Sequence, residues 1–479
     1  MTFKFYKLEE SISQALEAMG YNSPTEVQKR ALPDLLKGED IIVKSETGSG
    51  KTAAFAVPIC QEIDWDENAP QALILAPTRE LAIQIKEEIF NIGRFKRIKA
   101  VAIYGKFPFE RQRKELKQKN HIIVATPGRL LDHIERETIE LSKIRFFVID
   151  EADELLRMGF IEQVEEILKC LPKDRQTALF SATMPEEIKS ICEQYMNQPQ
   201  FIEIEKPERE VVNIEQYGVS LEEEDKFEKL LSILIKEKPE SVMVFCNTRY
   251  QVDDVYNALK RKISFCAKLH GEMMQKDRTQ IMKAFKQGKY KLLVTTDVSA
   301  RGIDIEKMDL VINYDLPLKT ETYIHRIGRT GRIGNQGKAF SLITDEDENF
   351  IDDLKQLQIE ELIAYELPTP EELKALEASF LEKWQEVPEI KNQKTELLNA
   401  NIIKIHINAG RKTKMRPVDI VGTLCSIEGV TAEDIGIINI LDVSTFVEIL
   451  NGKGNEVLAV LQEKPIKGRI RKVTLKLED

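Results

Sequence analysis

Residues 45–52 read Ser-Glu-Thr-Gly-Ser-Gly-Lys-Thr, a glycine-rich turn that runs straight into a lysine and a threonine. Backbone N–H groups can close on a phosphate across such glycines, so Gly48, Ser49 and Gly50 form a candidate cradle. Lys51 would bring a point charge to the β- and γ-phosphates of a nucleotide, and Thr52 a hydroxyl to Mg²⁺. Ile41–Lys44 reads as a strand and Ala53-Ala54-Phe55 opens a helix, the order that a phosphate-binding loop requires. Ser45 stands where a strict pattern has its first glycine, and a turn without a ligand is the alternative for the segment taken alone. Further along, the apolar run Arg145–Ile149 ends in Asp150-Glu151-Ala152-Asp153. That places carboxylates at the C-terminal end of a parallel strand, where such sheets bind ligands. Helix capping is the plain alternative; with the upstream loop, the better reading is Asp150 on Mg²⁺ and Glu151 positioning the attacking water.

A second reactive cluster lies at Tyr323–Arg332, where Arg326, Arg329 and Arg332 crowd together in a chain of net charge −11. Such a cluster needs anionic partners, although spacing alone allows a surface salt-bridge group. His270 and His325 have no second ligand at helical spacing, so structural or coupling roles are expected of them rather than metal binding. The six cysteines lie at least 20 residues apart, without the close spacings of zinc or redox sites. They read as reduced, buried thiols.

The elements that must position these groups are legible as well. Short apolar runs at 41–43, 73–75, 122–124 and 146–149 alternate with helical patterns, and a second set follows at 242–245, 292–294, 310–312 and 340–343. Both sets predict parallel sheets covered on two faces. The 479 residues are 31% charged and no apolar stretch approaches the ~20 residues that span a bilayer, so no membrane partner and a cytoplasmic location are expected. Pro- and charge-rich composition over 367–400 reads as a linker with a helix possible around Leu373–Leu381. Residues 401–479 then show the order βαββαβ, which suggests a ferredoxin-like α+β module. That module carries a net charge of +2 against −13 for residues 1–400, and is the electrostatic favourite for nucleic acid.

With Asp150–Asp153 as its centre, the chain over residues 3–345 resembles the DEAD-box RNA helicase family. The resemblance implies an α/β fold of two tandem RecA-like domains, here 1–206 and 207–366, which use ATP and Mg²⁺ to remodel RNA. Gly20–Gln28 resembles the adenine-reading Q motif, which implies that Gln28 hydrogen-bonds adenine with help from Phe3 or Tyr21. Pro77–Ala82 and Thr126–Arg129 resemble loops that hold the RNA backbone, a role suited to Thr78, Arg79, Thr126, Arg129 and helix N-termini. Gly105-Lys106 stands where a glycine pair is usual, leaving Gly105 as the expected contact. Ser181-Ala182-Thr183 resembles the segment coupling ATP to RNA, with Asp153 and His325 as its partners. Thr295–Asp304 resembles motif V, implying RNA at Thr295 and nucleotide at Gly302 and Asp304. Tyr323–Arg332 resembles motif VI, implying Arg329 and Arg332 as arginine fingers, so that hydrolysis requires the two domains to close.

The C-terminal module resembles an RNA recognition motif without its stacking aromatics. His406 and Phe446 are the only obvious ring candidates. Its basic residues fall instead at Lys404, Arg411, Lys412, Lys414 and Arg416, and at Lys467, Arg469 and Arg471. A helicase core with this appendage is similar to the DbpA branch of the family. That implies binding to a hairpin of large-subunit ribosomal RNA, action on pre-ribosomal particles as a monomer, and unwinding of short duplexes. An ATP-gated RNA clamp and a DNA-directed helicase are the rival readings.

Overall fold

Strands that are apolar at every position must be covered on both faces, and this governs the first two sheets. The computed structural model describes residues 2–46, 48–204, 214–297, 308–331, 337–356, 362–388 and 402–476. In the first domain β1 (Ile41–Lys44), β2 (Ala72–Leu75), β3 (Ala100–Ile103), β4 (Ile122–Ala125), β5 (Phe146–Ile149), β6 (Gln176–Ser181) and β7 (Gln200–Glu203) form a sheet in the order β3-β4-β2-β5-β6-β1-β7. All its pairings are parallel. Alternate residues feed two cores: Ile41, Val43, Ile74 and Val124 enter one, while Ile42, Leu73, Ile123 and Phe147 enter the other. The helices that matter for the site are α1 (Glu26–Lys37), α2 (Lys51–Glu62), α3 (Arg79–Ile92), α4 (Phe109–Leu116), α5 (Pro127–Glu135) and α6 (Ala152–Arg157).

Two histidines are sealed inside this domain. His121 Nδ1 accepts from Lys99 N at 2.9 Å and its Nε2 faces the Trp65 carbonyl at 3.2 Å, which fixes the neutral tautomer with the proton on Nε2. Burial pushes His121 and His133 from 6.5 down to about 4. A group whose folded value is depressed in this way binds its proton more readily when unfolded. Stability of the first domain is therefore complete above pH 6.5 and is lost as pH falls from 6.5 towards 4. Urea midpoints followed across that window should drop, and His121→Gln should flatten the slope.

The second domain repeats the principle with β8 (Ile214–Ser220), β9 (Val242–Phe245), β10 (Cys266–Leu269), β11 (Leu292–Thr295), β12 (Leu310–Asn313), β13 (Gly337–Ile343) and β14 (Ile363–Ala364). Their order is β10-β11-β9-β12-β13-β8-β14. Helix α7 (Thr320–Ile327) carries Arg326 and leads into the turn with Arg329, and α8 (Pro370–Gln385) follows the sheet. Composition places α8 inside a linker, but Thr369 and Glu372 cap it, and Phe380 and Trp384 are buried in the cluster that holds Val242, Leu292 and Tyr314. Sparse apolar residues on one helical face suffice once a partner surface is available. Trp384→Ala should cost the second domain about 3–5 kcal/mol, measured as a shift of its urea transition by circular dichroism.

In the C-terminal module β15 (Ile403–Ile407), β16 (Ile435–Ile440), β17 (Thr445–Ile449) and β18 (Val473–Leu475) form an antiparallel sheet ordered β16-β17-β15-β18. With α9 (Pro417–Cys425) and α10 (Gly454–Glu463) this is the expected βαββαβ module. It groups with the first domain. Arg94 Nη2 meets Glu448 Oε1 at 3.4 Å with both side chains buried, Lys99 Nζ donates to the Ile438 carbonyl at 2.7 Å, and Arg97 donates to the Ala432 carbonyl.

Candidate functional site

The loop after β1 is shaped by glycine where nothing else fits. Gly50 has φ +91°, and a Cβ there would meet Gln28 Nε2 at 2.7 Å and Thr25 Oγ1 at 2.9 Å. Those same groups brace the loop: Thr25 Oγ1 donates to Ser49 O at 2.8 Å and Gln28 Nε2 to Gly50 O at 3.0 Å. Lys51 opens α2, is 6% exposed, and reaches back to Ser45 O at 3.2 Å. Ser45 donates its backbone N–H to Ser181 O at 2.9 Å, as a glycine also would, and its hydroxyl adds a contact of 3.3 Å to the Ser49 hydroxyl within the loop. Thr52, the next residue of α2, is half-buried.

The residues expected on the adenine side are largely enclosed. Gln28 is fully buried and both ends of its amide are used, Oε1 by Thr25 N at 3.0 Å and Nε2 by Gly50 O. Here it links the start of α1 to the phosphate loop rather than presenting a free amide. Phe3 is 6% exposed in the core, edge-on to Tyr21 at 6.3 Å, while Tyr21 Oη donates to Glu88 at 2.8 Å. Tyr21 is the partly exposed ring of the pair.

Asp150 ends β5, two strands from β1, and accepts the Glu151 N–H at 3.0 Å. Burial raises its carboxyl above the usual range, opposed by the charge of Lys51. A buried carboxylate close to a lysine suits a hard cation bound with phosphate. No group of three or more His, Cys, Asp or Glu that could hold a metal exists among the described residues. Glu151 caps α6 with φ 51° and ψ 54°, an unfavoured backbone for a residue with a Cβ. Asp153 N donates to Ser181 Oγ at 3.2 Å, Ser181 Oγ to Thr183 O at 2.6 Å, and Thr183 Oγ1 to Asp153 Oδ2 at 3.3 Å. Three of the four residues expected to couple the sites, Asp153, Ser181 and Thr183, thus form one closed network between β5 and β6.

Thr78 and Thr126 cap α3 and α5 at the same end of the sheet, Arg79 is half-buried beside Thr78, and Gly105 is half-exposed after β3. Arg129 differs: its guanidinium turns inward to Phe107 O at 2.8 Å and Gln112 Oε1 at 2.7 Å. Thr295 is fully buried with its hydroxyl on Thr296 O, and so is closed to a side-chain contact with RNA. On α7, His325 is exposed, and Arg329 follows half-buried. Arg326 is 1% exposed and bound to Asp297, Asn313, Asn247 and Asp315 O, a hub that charge counting could not separate from its neighbours. Gly302, Asp304 and Arg332 lie outside the described residues.

In the module Lys404 shares the Glu448 carboxylate, at 3.3 Å, with Arg94. The two basic loops converge: Arg416 and Lys467 share Asp419 at 3.1 and 2.9 Å, and Lys467 also donates to Lys414 O. Both cations hold the Asp419 carboxyl well below the usual carboxylate range. Arg411, Lys412 and Arg469 are exposed and Arg471 half-exposed. His406 and Phe446 stack on the sheet with centroids 5.0 Å apart.

Residues 25–191 match the DEAD/DEAH box helicase family, 225–334 the helicase conserved C-terminal domain and 404–475 the DbpA RNA binding domain. The chain is 51% identical over 471 residues to an ATP-dependent RNA helicase DbpA of Bacillus subtilis, covering 98% of each. It is 41% identical to a DEAD-box ATP-dependent RNA helicase CshA of Geobacillus kaustophilus, over 82% of this chain and 84% of that one. Among solved structures, Saccharomyces cerevisiae Dbp5 bound to RNA and ADP BeF3 matches 80% of this chain and 100% of its own at 33% identity, with a TM-score of 0.68. No helix among the described residues is long and apolar enough to cross a membrane. The chain belongs to the DEAD-box ATP-dependent RNA helicases, in the branch that carries a DbpA RNA-binding domain.

Proposed function

We propose that this helicase is directed to a structured hairpin of large-subunit ribosomal RNA by its C-terminal module and remodels short duplexes nearby during ribosome assembly. The observation that supports the reading is the meeting of the two basic loops, where Arg416 and Lys467 share Asp419 and Lys467 donates to the Lys414 carbonyl, on a module whose sheet carries the stacked rings of His406 and Phe446. Basic loops suit a folded RNA, whose phosphates lie in fixed positions, better than a stretched single strand. The loops after β2, β3 and β4 grip the RNA backbone; Asp150 and Thr52 would hold Mg²⁺, which would supply positive charge to the nucleotide phosphates. Lys51 orients the nucleotide, Glu151 orients water, and Arg329 stabilises the phosphoryl group.

ATPase rates of the intact chain and of a chain ending at residue 388 test this with no RNA, unstructured RNA and a large-subunit ribosomal RNA fragment. The intact chain should respond to the fragment at 10²–10⁴-fold lower concentration than to unstructured RNA, the gain a second linked site confers. Truncation should remove that preference. Equal responses would leave a general helicase. Stimulated ATPase without separation of an adjacent duplex would favour an ATP-gated clamp.

A further inference from the structure

Strand β3 closes one edge of the first sheet, and β16 closes one edge of the module's sheet. An open edge invites pairing, so proteins cover it or arm it with charge. Here one side chain spans from edge to edge: Lys99, the residue before β3, donates its Nζ to the Ile438 carbonyl of β16 at 2.7 Å, and Arg97 donates to the Ala432 carbonyl just before β16. Along β15 and β17, Ile405, Val447 and Ile449 fill the module's own core, so Lys404, Phe446 and Glu448 stand on the opposite face. A carboxylate on that face would ordinarily meet water, yet Glu448 is 2% exposed, with Arg94, itself 5% exposed, 3.4 Å away. Ile402, at the entrance to β15, packs against the core of the first domain. Burial pushes Lys99 from 10.5 down to about 8, which marks the seam as poorly hydrated.

The seam is covered without being fully satisfied. Glu448 Oε2, Asn439 Oδ1 and Arg97 Nε are buried with no hydrogen-bond partner among the described residues. Such atoms oppose burial, so the seam opens at a lower cost than either hydrophobic core. A polar contact of this kind gains from the high effective concentration that attachment in one chain supplies, which favours the chain's own first domain as the occupant. We propose that the outer face of the module's sheet is a docking surface for the first domain, with Arg94, Arg97 and Lys99 holding Glu448 and the edge of β16. The module follows the second domain in sequence but is carried by the first.

Carboxyl labelling of the full chain with a carbodiimide and glycine ethyl ester, read by mass spectrometry, tests the docking. Glu448 should label at least about tenfold more slowly than Glu456, which is exposed on α10, because reaction must wait for the seam to open. Arg94→Ala should speed the labelling of Glu448 and leave Glu456 unchanged. Lys99→Met removes the bond to the Ile438 carbonyl without touching the Glu448 pair and should have the same effect more weakly, which keeps the test valid if Arg94→Ala destabilises the first domain. Equal rates for Glu448 and Glu456 in the parent chain overturn the proposal. Protection of Glu448 that survives both substitutions overturns it too, because the module would then bury the carboxylate unaided. Protection that fades on dilution does the same and assigns the face to a second copy of the chain.

Discussion

Glu151→Gln is expected to lower RNA-stimulated ATP hydrolysis by about 10²–10⁴-fold, the range that a positioned acid–base group contributes. Nucleotide affinity should stay within a few-fold. The substitution keeps the side-chain volume and leaves the Glu151 N–H on Asp150, a backbone bond at 3.0 Å that does not depend on the side chain. What it removes is a charged acceptor for a water proton at the C-terminal end of β5. The neighbouring Asp153 cannot easily take over, because its Oδ2 accepts the Thr183 hydroxyl and its own N–H is committed to Ser181. Single-turnover hydrolysis with excess enzyme, paired with a nucleotide titration, separates the two effects. A loss below tenfold would place the water elsewhere. A parallel loss of affinity would mean that Glu151, whose φ of 51° must be maintained by its surroundings, is needed to shape the loop.

The parts that could be read from the sequence were those in which one short segment encodes both an element and its chemistry. Val43-Lys44 followed by Gly48, Gly50 and Lys51 specifies a strand, a turn and a helix start, and the same residues make the cradle. Phe147-Val148-Ile149 specifies a buried strand and so delivers Asp150 to its C-terminal end. The βαββαβ order of the module is likewise local, because each of its elements has its own period.

Contacts between distant residues were harder. Gln28 carries a local signal, a capping box with Thr25, but its bond to Gly50 joins residues 22 apart and decides which way its amide points. The family resemblance offers Arg129 to RNA, and only the fold of the β3 loop shows its Nη1 held by Phe107 and Gln112. Glu448 sits on a strand whose alternation exposes it, yet Arg94, 354 residues away in the chain, buries it. A charge in that position is tolerable only with such a partner. Trp384 belongs to the same class, since linker composition says nothing about the surface that will cover it.

The arginines of α7 and its following turn show why spacing alone could not assign roles, and they yield the sharpest contrast in behaviour. Arg326→Ala should act on folding: it leaves Asp297 without the partner that holds it at 2.5 Å and strips donors from Asn313, Asn247 and the Asp315 carbonyl. Breaking a buried charge pair on one side costs about 3–5 kcal/mol, so the second domain should unfold at markedly lower urea. Arg329→Ala should act mainly on chemistry: the half-buried side chain lies beyond the end of α7, and its removal should lower the urea midpoint less than Arg326→Ala does. Hydrolysis should nevertheless fall about 10³–10⁵-fold, the contribution of an arginine that meets charge on a transferred phosphoryl group. The two measurements on the two variants form a crossed test. If Arg329→Ala loses stability in proportion to activity, it is a second structural arginine, and the phosphoryl contact must come from another cation. If Arg326→Ala keeps its midpoint while losing hydrolysis, the hub around Asp297 serves the reaction directly rather than the fold.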